Sequence, residues 1–270
     1  MSAIFKHLNA EEVQQITFDW RYRGFTILNL LTEEECDEIN AELETLRQAR
    51  IGTTTEDGKE WGDWDPFSYP HKISSKLEKL FCHPKILEAC EYLMDGEVQG
   101  MQTWCYFKPP GQLGRDQHQN AFYTGCKHNE IINTSLALDN HDPENGAVWI
   151  YEGSHRLPIL PIEVDEERTK TNPNFWRNER GKPCVMPEGH DFRKIQGYCK
   201  KGQVVLLHSH NIHGSEPNNS NRFRRNSFGG YLQTGANFNK GGHMKREPID
   251  LYELKEKHWT GSDEINYGGF

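Results

Sequence analysis

The chain has 270 residues, of which 35% are hydrophobic and 26% are charged, and its formal net charge at pH 7 is −9. This length suffices for one large domain, or two at most, with a sizeable core. No apolar run is long enough to span a bilayer, so an integral membrane protein is excluded. The acidic balance disfavours a general nucleic-acid binder, which needs a basic surface to follow phosphates.

The seven cysteines are odd in number and form no C-x-x-C pair. They indicate neither a disulfide framework nor a zinc ribbon. The first residues carry no basic segment followed by an apolar stretch, so no secretory signal is visible. We therefore expect a reduced, cytoplasmic protein that associates with neither membrane nor nucleic acid. Its oligomeric state is not predicted.

The first 96 residues are predicted to be mainly helical. A short buried strand over 24–31 precedes a helix that starts at Thr32. Thr32 and Glu35 form a capping box, in which a hydroxyl and a carboxylate satisfy free backbone amides reciprocally. A second helix is expected from Pro84, a favourable first-turn residue, to Met94, with Gly96 as its stop.

After Gly96 the pattern changes to short β-rich runs separated by turn residues. Strands are expected at 98–108, 131–138, 147–151, 203–208 and 226–233. Several short strands without alternating helices indicate an antiparallel barrel or jelly roll. The predicted class is therefore α+β, mainly β, with the helices packed on the outside of the sheets.

The predicted organisation is a single domain over residues 1–270. A mainly helical layer covers about 1–96, a β core covers about 97–235, and a tail covers 236–270. The core contains a long polar, irregular insertion at 161–198. Loops of this length in compact domains are often lids or binding loops.

Most of the 13 histidines need no special role, but His118 stands two residues before Asn120 in a β-rich region. Side chains two apart in a strand share a face, so this step presents an imidazole and an oxygen donor together. A further histidine from a distant strand would complete three ligands on one face of a metal. Such a set suits non-haem Fe(II) and oxygen chemistry. An exposed histidine near a turn is the simpler interpretation of the H-x-N step by itself.

The segment after His208 adds a second indication. A strand is predicted to end in His213, and Arg224 begins the next strand after a turn-rich stretch. A planar guanidinium one strand away from a metal site can hold a carboxylate through two parallel hydrogen bonds. Ser215 and Ser220 could donate to the same group. The alternative for Arg224 is a solvated charge at a strand end.

Several clusters of residues occur in order over about residues 98–232 and together form a recognisable pattern. They are Lys108-Pro-Pro110, His118-Gln119-Asn120 with Phe122 and Tyr123, Leu136 to Asp139, Glu144 to Ala147, Glu152 to Arg156, Gly202 to Val205, and His213 to Ser215 with Asn218, Ser220 and Arg224. With these clusters the chain resembles the phytanoyl-CoA dioxygenase family of Fe(II)- and 2-oxoglutarate-dependent oxygenases.

The resemblance implies a double-stranded β-helix, a cupin-like jelly roll with N-terminal helices. It implies a dioxygenase that uses Fe(II), 2-oxoglutarate and O2 to hydroxylate a C–H bond of a small metabolite. By the same resemblance, His118 and His213 are the iron-binding imidazoles. Arg224 is the partner of the distal carboxylate of 2-oxoglutarate, assisted by Ser215. Further contacts to the co-substrate are implied for Trp104, Ser135 and Lys72.

Asn120 departs from the family's H-x-D motif, because it offers iron a neutral carbonyl oxygen where an aspartate offers an anionic one. It is predicted as the third, weaker metal ligand. Other interpretations are an open position for a halide, as in related halogenases, a substitution introduced to impair the enzyme, and a non-catalytic descendant. Asp116 also lies two residues from His118 but on the wrong side of the motif.

The substrate itself is not predicted beyond a small polar metabolite. Its site is expected between the 112–125 loop, the 161–198 insertion and an aromatic stretch near residues 61–67. The candidate substrate contacts are Trp61, Trp64, Phe122, Tyr123, His210 and Trp176. Packing of the aromatic residues between helices and barrel is an equally good interpretation.

A hypothesis of another class is a non-catalytic jelly-roll protein that holds a carboxylate ligand with Arg224. Such a protein needs no metal. Release of succinate from 2-oxoglutarate in the presence of Fe(II) and O2 separates it from an oxygenase.

Overall fold

The computed structural model describes residues 5–49, 51, 67–163, 183–241 and 245–259. The predicted contacts Trp61, Trp64 and Trp176 lie outside the described residues. In the described part of the chain, no helix is both long and apolar enough to cross a membrane.

Helices in the described residues lie mostly in the first third of the chain. They are α1 (Ala10–Tyr22), α2 (Glu33–Gln48), α3 (Ser75–Phe81), α4 (Pro84–Met94), α5 (Asn120–Thr124) and α6 (Leu251–His258), with 3-10 turns at Pro70–Lys72 and Ser154–Arg156.

The sequence signals at two helix starts are confirmed. The Thr32 side chain accepts the backbone N–H of Glu35, and the Glu35 carboxylate accepts the N–H of Thr32 at 2.8 Å, which is the predicted capping box. Pro84 occupies the first turn of α4. The helix ends at Met94, where Asp95 adopts the left-handed conformation one residue before Gly96.

Ten strands in the described residues form two antiparallel sheets that make the jelly roll. They are β1 (Phe25–Asn29), β2 (Phe67–Ser68), β3 (Val98–Lys108), β4 (Arg115–His118), β5 (Ile131–Ala137), β6 (Val148–Tyr151), β7 (Lys194–Gln196), β8 (Gln203–His208), β9 (His213–Ser215) and β10 (Arg224–Gln233). One sheet has the order β1-β8-β5-β10-β3-β2, and the other has the order β4-β9-β6-β7.

The predicted strands are confirmed with small shifts, but one prediction is wrong. The strand expected to end in His213 instead begins there, because β8 ends at His208 and a turn separates it from β9. The short strands β2 and β7 and helices α5 and α6 were not predicted. Strands of two or three residues depend on a partner across the sheet and leave no local pattern.

The two faces of the six-stranded sheet differ in polarity. The outer face packs Leu136, Val204, Leu206 and Tyr231 against the helical layer, where Phe81 and residues of α2 and α4 complete the main core. This burial of apolar area attaches the helices to the sheet. The arrangement of helices outside a sheet sandwich is as predicted.

The inner face of the same sheet is polar where β3 and β10 pair. Alternation places Arg224, Asn226 and Phe228 on one side of β10, and their partners on β3 are Lys108, Tyr106 and Trp104. Lys108 reaches the opposite sheet and donates to the hydroxyl of Ser215 on β9 at 3.2 Å. The space between the sheets therefore presents charges and hydrogen-bonding groups at this end of the jelly roll.

A histidine cluster, formed by His128, His155, His208 and His210, lies at the end of β8. The ring centroids of His128 and His208 are 4.5 Å apart, and those of His155 and His208 are 5.3 Å apart. His208 Nδ1 accepts the backbone N–H of His210, and its Nε2 donates to the side-chain oxygen of Asn129 at 2.8 Å. These two bonds require a neutral His208 ring.

Burial is the main reason why His155, His208 and His210 resist protonation. It lowers the pKa of His155 and of His210 to about 4, with a further contribution from neighbouring positive groups. Burial likewise takes the pKa of His208 well below its ordinary value. The unfolded chain therefore binds more protons than the native protein once the pH falls below the ordinary histidine pKa of about 6.5.

We predict that the free energy of unfolding decreases as the pH falls from about 6.5 to about 4. Each histidine that is protonated only in the unfolded state contributes about 1.4 kcal/mol per pH unit in this range. In His208→Gln, the free energy of unfolding should decrease less steeply with falling pH, by the amount expected for about one proton fewer. Urea unfolding at several pH values measures this pH dependence.

Trp20→Phe is the matched control, because Trp20 contacts the His208 ring at 5.2 Å between centroids but does not titrate. It should lower the stability without changing the slope. An unchanged slope in His208→Gln would contradict the assignment.

Candidate metal and carboxylate site

His118 and His213 form a cross-strand pair between β4 and β9. They are direct register partners, and their ring centroids are 4.2 Å apart. Both residues are buried, with 4% and 7% of their surface exposed. The structure thus brings together the two imidazoles that the sequence analysis selected.

Each imidazole of the pair is held by the carbonyl two residues before it. His118 Nδ1 donates to the oxygen of Asp116 at 2.8 Å, and His213 Nδ1 donates to the oxygen of Asn211 at 2.9 Å. Because a carbonyl can only accept, the proton of each neutral ring is on Nδ1 and the lone pair is on Nε2. This is the arrangement that orients a histidine toward a metal.

Both rings are neutral near pH 7. Burial lowers the pKa of His118 well below its ordinary value, and the positive charge of Arg115 lowers it further. Burial, with a smaller contribution from Arg115, lowers the pKa of His213 to about 4. A neutral imidazole is the form that binds a metal ion, so no proton has to leave at neutral pH.

Gly214 lets β9 approach its neighbours closely enough for this pairing. A Cβ at this position would lie 2.4 Å from the Trp149 ring and 2.7 Å from the backbone oxygen of Arg115. A larger residue would therefore push apart β4, β9 and β6. The central glycine of the H-G-S sequence thus has a steric reason.

Asn120 does not share a strand with His118, which corrects the geometry assumed from the sequence. β4 ends at His118, and Asn120 is the first residue of α5. Between them, the buried Gln119 donates to the oxygens of His210 and Pro158 and accepts the N–H of Leu160. These three bonds fix the point where the strand turns into the helix.

The side chain of Asn120 is held by another amide. Its Nδ2 donates to Oδ1 of Asn133, a buried residue of β5, at 3.0 Å. The carbonyl oxygen of Asn120 is the end of its amide that could serve as a metal ligand.

Asp116 does not supply a substitute carboxylate. Its backbone oxygen holds His118. Across the described residues, no group of three or more His, Cys, Asp or Glu side chains could hold a metal ion. Among the described residues, any third protein ligand beside His118 and His213 is thus of another kind. Asn120 is the candidate, because both ends of the neighbouring Gln119 amide are already engaged in hydrogen bonds.

Arg224 is a buried cation at the start of β10. Its Nε and Nη1 atoms have no hydrogen-bond partner among the described residues. Burial lowers its pKa to about 10, so it stays charged at neutral pH. The same charge, after burial, contributes to lowering the pKa of His141 to about 3. A buried guanidinium whose donors are unsatisfied is costly unless an anion joins it.

Lys108 is the register partner of Arg224 on β3, and it is also buried. Its Nζ donates to Ser215 Oγ and to the backbone oxygens of Gly146 and Glu216. Like charges directly across a pair of strands are unfavourable, so this position favours a negatively charged ligand. In the sequence, Lys108 belongs to a motif but no role is predicted for it.

Ser215 joins the two halves of the site. Its Oγ accepts from Lys108 Nζ and from the backbone N–H of Arg115, at 3.2 and 3.1 Å. With both lone pairs in use, the hydroxyl can only donate to a further group. Ser220, in contrast, donates to Asn218 Oδ1 at 2.7 Å and belongs to the turn before β10.

Trp104 and Ser135 flank Phe228 on the inner face of the sheet. The Trp104 ring stacks on Phe228 with centroids 4.3 Å apart, and its buried Nε1 has no partner among the described residues. Ser135 Oγ accepts from Nδ2 of Asn226 at 3.0 Å. Both predicted co-substrate contacts therefore lie on the face that carries Arg224.

Two other predicted residues have different surroundings. Lys72 is half exposed and forms an ion pair with Glu247 at the surface. His210 packs its ring against His128 at 4.9 Å and against His208 at 5.4 Å, within the histidine cluster.

The predicted aromatic substrate contacts on α5 differ in exposure. Tyr123 lies beside the His118–His213 pair, with its ring 6.1 Å from that of His118. Phe122 contacts Tyr123 edge-on and is 38% exposed. Phe67, in the predicted aromatic stretch, is buried against Phe107 in the main core, as the packing interpretation expected.

The donor set fits a divalent metal. Nε2 of His118 is buried and lacks a partner among the described residues, although a buried nitrogen lone pair normally finds one. It faces the same small region as the ring of His213. Two imidazoles on one side, with further positions for oxygen ligands, match the ligand set of non-haem iron sites.

Comparison with known proteins was made for both sequence and fold. The chain is 25% identical over 168 residues to peroxisomal phytanoyl-CoA dioxygenase of Bos taurus, covering 57% of this chain and 48% of that protein. It is 23% identical over 167 residues to a probable alpha-ketoglutarate-dependent hypophosphite dioxygenase of Stutzerimonas stutzeri, covering 62% and 56%. The chain thus matches about half the length of these relatives.

Among solved structures, the fold is similar to that of the epimerase SnoN in complex with Fe3+, alpha ketoglutarate and nogalamycin RO. The TM-score is 0.69 at 17% identity, over 89% of this chain and 96% of that one. The likeness confirms the predicted jelly-roll fold. The family model for phytanoyl-CoA dioxygenase (PhyH) matches residues 20–226, so the chain belongs to the phytanoyl-CoA dioxygenase family.

Proposed function

We propose that this protein is an Fe(II)- and 2-oxoglutarate-dependent dioxygenase that hydroxylates a C–H bond of a small polar metabolite. His118, His213 and the carbonyl oxygen of Asn120 hold the metal, and Arg224 holds the distal carboxylate of 2-oxoglutarate. The observation that carries the proposal is the pair of imidazoles with Nδ1 bound to carbonyls. Family membership and the similarity to a complex with Fe3+ and alpha ketoglutarate support it.

The metal, when bound, supplies oxygen activation coupled to decarboxylation of the keto acid, and the protein supplies binding and orientation. Arg224 and Lys108 provide the positive charge for the distal carboxylate. The Ser215 hydroxyl, whose lone pairs are occupied, donates to the same group. Trp104 offers its indole N–H along the keto acid, and Ser135 lies beside it on the neighbouring strand.

The substrate enters beside α5, where Tyr123 lies against His118 and the exposed Phe122 forms the rim. Trp61, Trp64 and Trp176 remain predicted substrate contacts. The cationic surroundings of the site, with Arg115 near both imidazoles, favour a polar or anionic substrate over a hydrocarbon. The relative named for hypophosphite acts on a small anion, which is in line with this choice.

Anaerobic titration with Fe(II) and 2-oxoglutarate tests the proposal directly. A visible charge-transfer band should appear for the wild-type protein, because the keto acid binds iron through two oxygens. His213→Ala should abolish the band. Ser220→Ala, which changes only a turn, should retain it.

Admission of O2 should then release succinate. Absence of both the band and succinate would contradict the proposal. Binding of 2-oxoglutarate without any dependence on metal and without succinate would instead match a carboxylate-binding protein.

Arg224→Gln should weaken binding of 2-oxoglutarate on the order of 100-fold, because charge-assisted hydrogen bonds to the distal carboxylate are lost. The matched control is Arg225→Gln, since Arg225 points to the other face of β10 and pairs with Asp139 at 3.2 Å. It should leave the affinity nearly unchanged.

A shorter keto acid without a distal carboxylate, 2-oxobutyrate, sharpens the same comparison. Its weak binding should be equal in the wild type and in Arg224→Gln. Calorimetric titration of the metal-loaded proteins measures all four affinities. Equal loss for both keto acids would remove the assigned role of Arg224.

Asn120→Asp should raise the affinity for divalent metal about tenfold or more, because it adds a negative charge at the metal. Competition with a chelator of known affinity measures the change. An unchanged affinity would show that residue 120 is not a ligand.

The turnover of Asn120→Asp decides whether Asn120 is a weakened or an adapted metal ligand. A turnover that rises with affinity identifies Asn120 as a weakened version of the family's aspartate. A turnover that falls identifies it as a ligand adapted to this protein.

A further inference from the structure

We propose that Asn133 is a positioning residue that turns the amide of Asn120 so that its carbonyl oxygen faces the metal. The inference rests on the proposed function, since it concerns the third ligand of that site. It goes beyond that function because it identifies a second amide, outside the metal's ligand set, that makes a neutral ligand usable.

The first observation is the hydrogen bond itself. Asn120 Nδ2 donates to Asn133 Oδ1 at 3.0 Å. An amide has two similar ends, and only its oxygen can bind a metal cation. A bond that engages the nitrogen therefore leaves the useful end for the metal.

The second observation is the rigidity of Asn133. It is 2% exposed and lies in β5, with Gly230 of β10 and Leu207 of β8 as partners on its two sides. A side chain in the middle of a six-stranded sheet has little freedom to follow Asn120.

The third observation is that the backbone of Asn120 is also fixed. Gln119 is anchored by three hydrogen bonds, and the N–H of Ala121 donates to the oxygen of Ser209 at 3.0 Å. The side-chain torsions of Asn120 are then its main remaining freedom. The bond to Asn133 removes this freedom before the metal arrives.

The orientation of the two amides is coupled. If Asn133 presented its nitrogen instead, Asn120 would accept with its oxygen and turn its own N–H groups toward the cation, which repels them. An aspartate at position 120 would need the reverse arrangement, with Asn133 donating. The oxygen that Asn133 presents thus suits an amide at 120, and a carboxylate there would be accommodated by turning the Asn133 amide so that its nitrogen donates.

Partners of this kind that orient a metal ligand typically contribute 10- to 100-fold to metal affinity. Asn133→Ala should thus weaken binding of Co(II), used here as the probe, about tenfold. The visible d–d spectrum of bound Co(II) should change as the third ligand loses its orientation. Asn133→Asp keeps an acceptor for Asn120 Nδ2, so it should bind Co(II) at least as tightly as the wild type.

The same substitution should have the opposite effect when residue 120 is a carboxylate. In the Asn120→Asp background, Asn133→Asp places two acceptors against each other and should weaken Co(II) binding relative to Asn120→Asp alone. This change of sign is specific to orientation through the hydrogen bond. A general electrostatic effect of the added charge would strengthen binding in both backgrounds.

Thr134→Val is the matched control, since Thr134 is the next residue of β5, is buried, and lies on the opposite face. It should leave Co(II) affinity unchanged. Thermal unfolding of each metal-free variant reports whether β5 is intact. If Asn133→Ala does not fold, the comparison of Asn133→Asp in the two backgrounds decides the question.

Two failures are distinguishable. A wild-type protein that binds neither Co(II) nor Fe(II) would overturn the proposed function. A wild-type protein that binds Co(II), with Asn133→Ala equal to it or Asn133→Asp acting in the same direction in both backgrounds, would overturn the positioning role alone.

Discussion

The site depends on the pairing of β4 with β9, which sets His118 directly across from His213. Each ring is fixed by a backbone carbonyl two residues before it, so neither can rotate its Nε2 away without losing a buried hydrogen bond. Burial then keeps both rings neutral. Backbone geometry thus holds in advance the two imidazoles of the proposed metal site.

The two faces of the six-stranded sheet differ in polarity, and the polar face carries the proposed site. The outer face carries the apolar core that attaches the helices and gives the stability. That stability allows the inner face to hold Arg224 and Lys108 side by side, an arrangement that costs free energy until an anion arrives. The apolar core formed with the helical layer therefore offsets the free-energy cost of the positively charged interior.

Replacement of an aspartate by Asn120 raises the net charge of the proposed centre by one unit. A neutral ligand binds the metal less strongly, so its orientation has to be fixed by neighbouring side chains. Asn133, which accepts a hydrogen bond from the Asn120 amide, is such a neighbour. The added charge also favours anionic groups around the metal, which includes the keto acid. In the proposed centre, two amides therefore take the place of one carboxylate.

How much of the structure could be predicted depends on the separation along the chain between the residues that form each sequence signal. Local signals identified the capping box at Thr32, the start of α4 at Pro84 and the long strand β3, because each depends on neighbours within a few residues. Residue chemistry and the family pattern selected His118, His213 and Arg224. They did not select Lys108 or Asn133, whose importance arises from partners far along the chain.

The sequence by itself determined several of the longer elements, such as α4 and β3, and which side chains are chemically able to bind a metal and a diacid. Only the tertiary structure decided that β9 begins at His213, that Asn120 starts a helix, and that His210 joins a cluster of buried histidines. The physical reason is that strand register and the burial of polar groups are set by contacts between segments distant in sequence. No pattern within one segment encodes them.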